Sequence, residues 1–209
     1  KAPFTTSTYQ QEAGRKLGMA AKRAMQAAQR LYENGYITYM RTDSISLSTQ
    51  AIAAARDLVS REYGTEYLPK TPRTWEGKAR NAQEAHEAIR PAGERFRFPK
   101  DVAAEVGPDE AAAYELIWKR TVASQMVDAR MKSVTARFES PLTNGGKADQ
   151  VARGKTVLFP GYLRAYVEGT DEPEAEMAEK DVVLPPLAKG DRTRVHTAEP
   201  AGHSTKPPA

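Results

Sequence analysis

Tyr39 and Arg41 stand two residues apart in the stretch Gly35-Tyr36-Ile37-Thr38-Tyr39-Met40-Arg41-Thr42-Asp43-Ser44, and together they hold the parts of a phosphoryl-transfer site. The Tyr39 phenol can attack phosphorus, and the Arg41 guanidinium can aim a fork of donors at a phosphate. A free phenol titrates near ~10, so at neutral pH it needs help to become a nucleophile. A nearby guanidinium favours the phenolate and also offsets charge on the phosphate under attack. If the stretch is extended, positions two apart face the same way, so Tyr39 and Arg41 project together while Met40 points inward. Tyr-x-Arg is a common pair, and alone it also fits a packed tyrosine beside a surface arginine. His86 and Arg90 share a face if Glu84 to Arg90 is a short helix stopped by Pro91, and could then meet one phosphate together. A lone histidine is more often structural.

These groups need elements to hold them. The apolar positions Leu17, Ala21, Ala24, Met25, Ala28 and Leu31 fall on one face of a helix expected from about Glu12 to Glu33, with Arg15, Lys22, Arg23, Gln26 and Arg30 opposite. Asn34-Gly35 supplies its stop, and the chain emerges directly into the tyrosine stretch. Ser48 caps a second expected helix, Thr49 to Tyr63, with Leu47 and Ile52 as a staple and Ile52, Ala55, Leu58 and Val59 as its buried stripe. Residues 64 to 81 read as loop, in which Trp75 either pins the loop to the helical core or stacks a base. A third long helix opens at Pro108-Asp109-Glu110 and runs to about Gln125. From Lys132 the period shifts towards two, predicting strands around Val134 to Phe138, Thr156 to Phe159, Leu163 to Val167 and Arg192 to His196. The opening residues, polar and threonine-rich, are expected to complete this antiparallel β part.

Composition sets outer bounds. The chain has 209 residues, enough for one large domain or two small ones. It contains no cysteine, which removes disulfides and thiolate metal sites, and no apolar run approaches membrane-spanning length. The net charge is +4, and residues 1 to 100 carry 17 Lys/Arg against 10 Asp/Glu while the remainder carries 14 against 17. The basic excess therefore lies with the tyrosine stretch, which suits a polyanionic partner. The acidic run Asp171 to Asp181 has no histidine or second acidic cluster beside it and is read as a solvated loop, not a metal site.

The full string Tyr-Ile-Thr-Tyr-Met-Arg-Thr-Asp-Ser resembles the active-site segment of type IA DNA topoisomerases, in the Met40 form of their bacterial topoisomerase I branch. Two further strings agree in order and spacing. Pro3-Phe4-Thr5-Thr6-Ser7-Thr8-Tyr9-Gln10-Gln11-Glu12-Ala13 is similar to the family's passage from arch to nucleophile domain, and Ala82-Gln83-Glu84-Ala85-His86-Glu87-Ala88-Ile89-Arg90-Pro91 resembles its histidine-bearing helix. The resemblance implies an α+β, multidomain chain in which a mostly helical, helix-turn-helix-like nucleophile domain is inserted into an antiparallel β arch. On that basis residues 1–10 are the first piece of the arch and a hinge, 11–126 the nucleophile domain, and 127–209 the second arch piece and the start of a truncated connection. The hinges would lie near Thr5 to Gln11 and Ser124 to Ala129.

The same resemblance implies the chemistry. Tyr39 would form a 5′-phosphotyrosyl link with DNA, Arg41 would hold the scissile phosphate, and Thr38, Thr42 and Asp43 would shape the turn. His86 and Arg90 would touch DNA. Negatively supercoiled DNA would be relaxed without ATP, and no ATP-binding loop is present. Mg²⁺ is expected on a Toprim domain preceding Lys1, since the chain shows no Asp-x-Asp pair with a partnering glutamate. The chain is thus expected to be a central fragment of a cytoplasmic, nucleoid-associated enzyme, with DNA and the remaining domains of its polypeptide as partners and no membrane. Alone it would bind single-stranded DNA weakly and not relax it. The alternative is a non-catalytic helix-turn-helix module in which Tyr39 is core.

Overall fold

The structure is a computed structural model that describes residues 1–75, 87–142, 145–166, 184–194 and 197. A helical body carries the tyrosine stretch, and one long β hairpin leaves it. The body contains α1 (Thr6–Leu17), α2 (Ala21–Glu33), α3 (Thr49–Glu62), the short α4 (Pro99–Ala103) and α5 (Pro108–Ser124). The hairpin pairs β1 (Arg130–Pro141) with β2 (Lys147–Phe159), antiparallel. Helices together with an antiparallel sheet agree with the expected α+β class.

The single helix expected from Glu12 to Glu33 is two. Gly18 sits at φ 62° and closes α1, with the Gly18 and Met19 N–H groups donating to the Gly14 and Ala13 carbonyls at 3.2 Å. That left-handed cap suits glycine and turns the chain before α2 begins. α1 also starts earlier than the periodicity suggests, because Thr5 and Thr8 form a reciprocal capping box. The threonines that look β-leaning in sequence are here serving helix start chemistry.

The core lies between α2 and α5. Ala24, Ala27, Ala28 and Leu31 of α2 are buried, and three of these four are alanine, which lets the α5 backbone come close. Burying a leucine such as Leu31 contributes about 2 kcal/mol. α5 is buried on most sides, through Ala113, Tyr114, Leu116, Ile117, Trp118, Val122 and Ala123. Two ion pairs tie α2 to the first turn of α5: Arg23 grips Asp109 with two bonds of 2.7 Å, and Arg30 pairs with the buried Glu110. Acids in that turn also suit the helix dipole. Part of the cationic face of α2 is thus committed to holding two helices together.

α3 begins at Ser48 as expected, its hydroxyl accepting from Ala51 N–H at 3.3 Å, and buries Ala51, Ala55, Leu58 and Val59, while Ile52 is only half-buried. The loop after it is pinned rather than loose: Trp75 Nε1 donates to the Ser124 carbonyl at 3.4 Å. The fully buried Gln125 exchanges side-chain bonds with the backbone of Arg73.

Three β expectations change. The opening residues form no ladder with β1 or β2 among the described residues; Phe4 instead bridges to Ile89, and its ring meets Tyr9 and Tyr166 edge-on. Residues 161–164 form a 3-10 turn in place of a strand, because Gly161 adopts φ 49° and the chain folds back to bury Ala165 and Tyr166. Arg192 to Arg194 carry no regular structure, and Val195 and His196 lie outside the described residues.

Candidate active site

The tyrosine stretch is suspended between two other segments. From one side Thr6 N–H donates to the Thr42 carbonyl at 2.8 Å, and the Thr6 hydroxyl donates to the Met40 carbonyl at 2.8 Å. From the other, Thr38 N–H donates to the Arg90 carbonyl at 2.9 Å, Ala92 N–H to the Tyr36 carbonyl at 2.9 Å and Ala88 N–H to the Ser46 carbonyl at 2.8 Å. Ile89 N–H in turn reaches the Phe4 carbonyl at 2.9 Å. Residues 4–6, 36–46 and 88–92 thus form one hydrogen-bonded layer although they are far apart in sequence, held mainly by backbone.

From Tyr39 to Asp43 the side chains alternate as an extended chain requires: Met40 and Thr42 are buried, while Tyr39 and Arg41 are exposed, Tyr39 with 42 % of its surface open; Ile37, before this run, is buried as well. Asp43 is also exposed. Neither Arg41 nor Asp43 makes a hydrogen bond or ion pair among the described residues, so both can meet a ligand. Among the described residues the Tyr39 ring meets Tyr32 on the last turn of α2, edge-on with ring centres 5.2 Å apart.

Thr38 serves the scaffold. Its hydroxyl donates to the Ala88 carbonyl at 2.8 Å and accepts from Arg90 N–H at 3.0 Å. Thr42 works similarly, its N–H donating to the Thr6 hydroxyl and its own hydroxyl accepting from Ser44 N–H. Tyr36 lies against Tyr114 and under Arg97, and its hydroxyl donates to Glu105 at 2.7 Å. The Arg97 guanidinium and the Tyr36 hydroxyl on Glu105 hold that carboxyl down at about 2, and the same bond raises the Tyr36 phenol.

Only the Arg90 end of the expected His86 and Arg90 pair lies within the described residues. His86 is outside the described residues, and 87–90 are extended, not helical, because Ile89 and Pro91 are taken into bridges with Phe4 and Ile37. Arg90 is buried and turned inward. Its guanidinium gives two bonds to Glu87, at 3.1 and 2.6 Å, and others to the Pro91 and Gly93 carbonyls. Glu87 in turn accepts from Ser48 N–H at 2.5 Å, which joins the layer to the start of α3. Burial works against the Glu87 carboxylate, yet the Arg90 and Ser48 bonds outweigh it and leave its pKa below the ordinary value.

Sequence reasoning missed Thr6, Glu87 and Tyr32. Thr6 and Glu87 sit inside the two flanking strings, so the signal was present, whereas the Tyr32 contact depends on how α2 meets the stretch.

Tyr39 and Arg41 are thus both exposed on a layer built from three remote segments. The family model for DNA topoisomerase matches residues 1–209, and the chain belongs to that family. It is 56 % identical to DNA topoisomerase 1 of Streptomyces coelicolor over 208 residues, 100 % of this chain and 22 % of that protein. It is 54 % identical to DNA topoisomerase 1 of Synechocystis over 99 % of the chain and 53 % identical to that of Mycobacterium tuberculosis, again spanning 22 % of each. The chain therefore spans about a fifth of the curated relatives it matches. Among solved structures, full-length topoisomerase I from Thermotoga maritima aligns over 81 % of this chain and 29 % of its own, with a TM-score of 0.63 and 34 % identity.

Proposed function

We propose that this chain is the nucleophile-bearing part of a bacterial topoisomerase I that relaxes negatively supercoiled DNA through transient single-strand breaks. The observation that carries this reading is the shared outward aim of Tyr39 and Arg41 over the buried Met40 and Thr42. The Tyr39 oxygen attacks a backbone phosphorus, a Tyr–O–P bond forms and the P–O3′ bond breaks. The phenol gives up one proton and the departing 3′ oxygen gains one, so the step is proton-neutral and leaves a 5′-phosphotyrosyl link with a free 3′-hydroxyl. Reversal reseals the strand, and because the link stores the phosphodiester energy no ATP is consumed. Arg41 holds the scissile phosphate and offsets the charge that builds on it. Asp43 lies on the same exposed edge, while Thr38 and Thr42 fix the backbone from within.

Arg90 fits a positioning role here better than a DNA contact, since its donors are already engaged. His86 is assigned to the DNA, with proton transfer and phosphate contact both open to it. Among the described residues no group of three His, Asp or Glu could hold a metal. On the family's pattern, Mg²⁺ is assigned to acidic residues in the remainder of the full-length enzyme, and the roles given to Tyr39 and Arg41 do not depend on its placement here. Since the chain spans about a fifth of its relatives, we assign complete relaxation to the whole polypeptide.

For domains, residues 11–126 form the nucleophile domain and 127–209 the arch part, with a hinge at Ser124 to Ala129. The packing of Phe4 and Tyr9 supports grouping residues 1–10 with the helical body. No described helix is long and apolar enough to cross a membrane. Nucleoid-associated action in the bacterial cytoplasm completes the reading.

The test is a covalent-adduct assay on labelled single-stranded DNA with Mg²⁺, using the full-length enzyme, its Tyr39→Phe and Arg41→Ala variants, and this chain alone. The full-length enzyme should form an adduct that Tyr39→Phe abolishes. Arg41→Ala should slow it about a hundredfold while DNA affinity falls far less. An adduct that survives in Tyr39→Phe would overturn the assignment, and salt-sensitive binding with no adduct in any sample would favour a DNA-binding module instead.

A further inference from the structure

Tyr39 carries no hydrogen bond among the described residues, and 42 % of its surface is open to solvent. A phenol so placed can swing between rotamers, yet attack on phosphorus demands one approach line. What borders the ring is Tyr32, 5.2 Å away and inclined at 66°. That is the edge-to-face geometry aromatic pairs prefer. Tyr32 is itself 40 % exposed, so filling the core does not account for a large ring at this position.

Tyr32 is also fixed relative to the stretch it faces. Gly35 N–H donates to the Tyr32 carbonyl at 2.9 Å, and Tyr36 N–H reaches back to the Leu31 carbonyl at 2.8 Å. Gly35 takes φ 75°, which folds the chain back so that residue 39 lies against residue 32. Arg30, two positions earlier, anchors the same turn of α2 to Glu110 at the head of α5. The ring that meets Tyr39 is therefore mounted on a helix tied by ion pairs to α5.

We propose that Tyr32 is a positioning residue for the Tyr39 nucleophile: its ring restricts the Tyr39 side chain to the rotamer that aims the phenol oxygen outward beside Arg41. This rests on the reading of Tyr39 as nucleophile. The ring acts, and the Tyr32 hydroxyl does not. Acting through the Tyr39 ring, the contact changes how often the phenol is correctly aimed and leaves DNA affinity alone.

The experiment measures single-turnover adduct formation at saturating labelled single-stranded DNA, together with DNA affinity by fluorescence anisotropy. Full-length enzyme is compared with its Tyr32→Ala, Tyr32→Phe and Tyr39→Phe variants, each checked for an unchanged melting temperature. Tyr32→Ala should slow the saturated rate roughly 3- to 10-fold, the energy of one ring pair expressed as a rate ratio, with Kd unchanged within about twofold. Tyr32→Phe should restore the rate. An unaltered rate in Tyr32→Ala overturns the proposal, as does a loss confined to Kd, which would make Tyr32 a DNA contact. Failure of Tyr32→Phe to restore the rate overturns it in favour of the hydroxyl. If Tyr39→Phe still forms adduct, the nucleophile assignment itself fails, an outcome separate from all of these.

Discussion

Arg90 shows how a single side chain can change its apparent role once its surroundings are known. By spacing it pairs with a histidine towards phosphate; in the fold its guanidinium faces Glu87 and two carbonyls while its backbone holds Thr38. Removing it leaves Glu87 half-buried without its ionic partner and the Pro91 and Gly93 carbonyls without a donor. Arg90→Ala should therefore destabilise the chain by about 3 kcal/mol, measured by denaturant unfolding. Arg90→Lys should recover only part of that, because an ammonium cannot span the same fork. A variant as stable as the parent would return Arg90 to the pool of candidate DNA contacts.

At the scale of elements, the short extended layer is stabilised from outside as much as from within. The 93–98 loop, the exit of α4 and Tyr36 converge on Glu105, where Arg97 gives bonds of 2.9 and 2.5 Å. The Glu105 carboxyl stands at about 2 in the fold against an ordinary 4.5. A depressed carboxyl contributes its stability above its unfolded pKa and loses it as pH falls towards the folded value. Thermal melts should therefore decline between about pH 4.5 and 2, and Glu105→Gln should flatten that part of the profile; identical profiles would show the contact to be inert.

Several elements were legible in the sequence because one local rule decides them. Ser48 before α3, Pro108-Asp109-Glu110 at α5 and the alternation through Tyr39, Met40 and Arg41 all follow from side chains acting within a few residues. The break at Gly18 was hidden because α1 and α2 both keep apolar periodicity across it. The extended 87–90 segment was hidden because its conformation is set by Phe4 and Ile37, each more than fifty residues away. Local pattern cannot report a partner at that distance.

For the molecule as a whole, the junction between helical body and hairpin, where the hinge is proposed, is held by crossing backbone hydrogen bonds. Val127 N–H donates to the Tyr67 carbonyl, and Tyr162 N–H donates to the Val127 carbonyl, both at 2.9 Å, so the chain leaving α5 and the chain returning from β2 are bound to each other. Phe159 closes the contact by packing on Tyr67. A Cβ on Gly161 would stand 2.5 Å from the Asp128 carbonyl oxygen and 2.6 Å from that of Val127. Gly161→Ala should thus cost about 2–4 kcal/mol, whereas Gly145→Ala, also at positive φ but with open space around it, should cost about 1 kcal/mol. Equal losses in the two would mean that the crossing yields easily. The register sets Arg130 opposite Phe159, so the hairpin begins and ends at this one crossing. A segment that leaves and rejoins its host at a single point can be lengthened, trimmed or replaced without rethreading anything else. The arms of this hairpin can therefore diverge in size across lineages, or be exchanged by an engineer, while the tyrosine stretch keeps its scaffold.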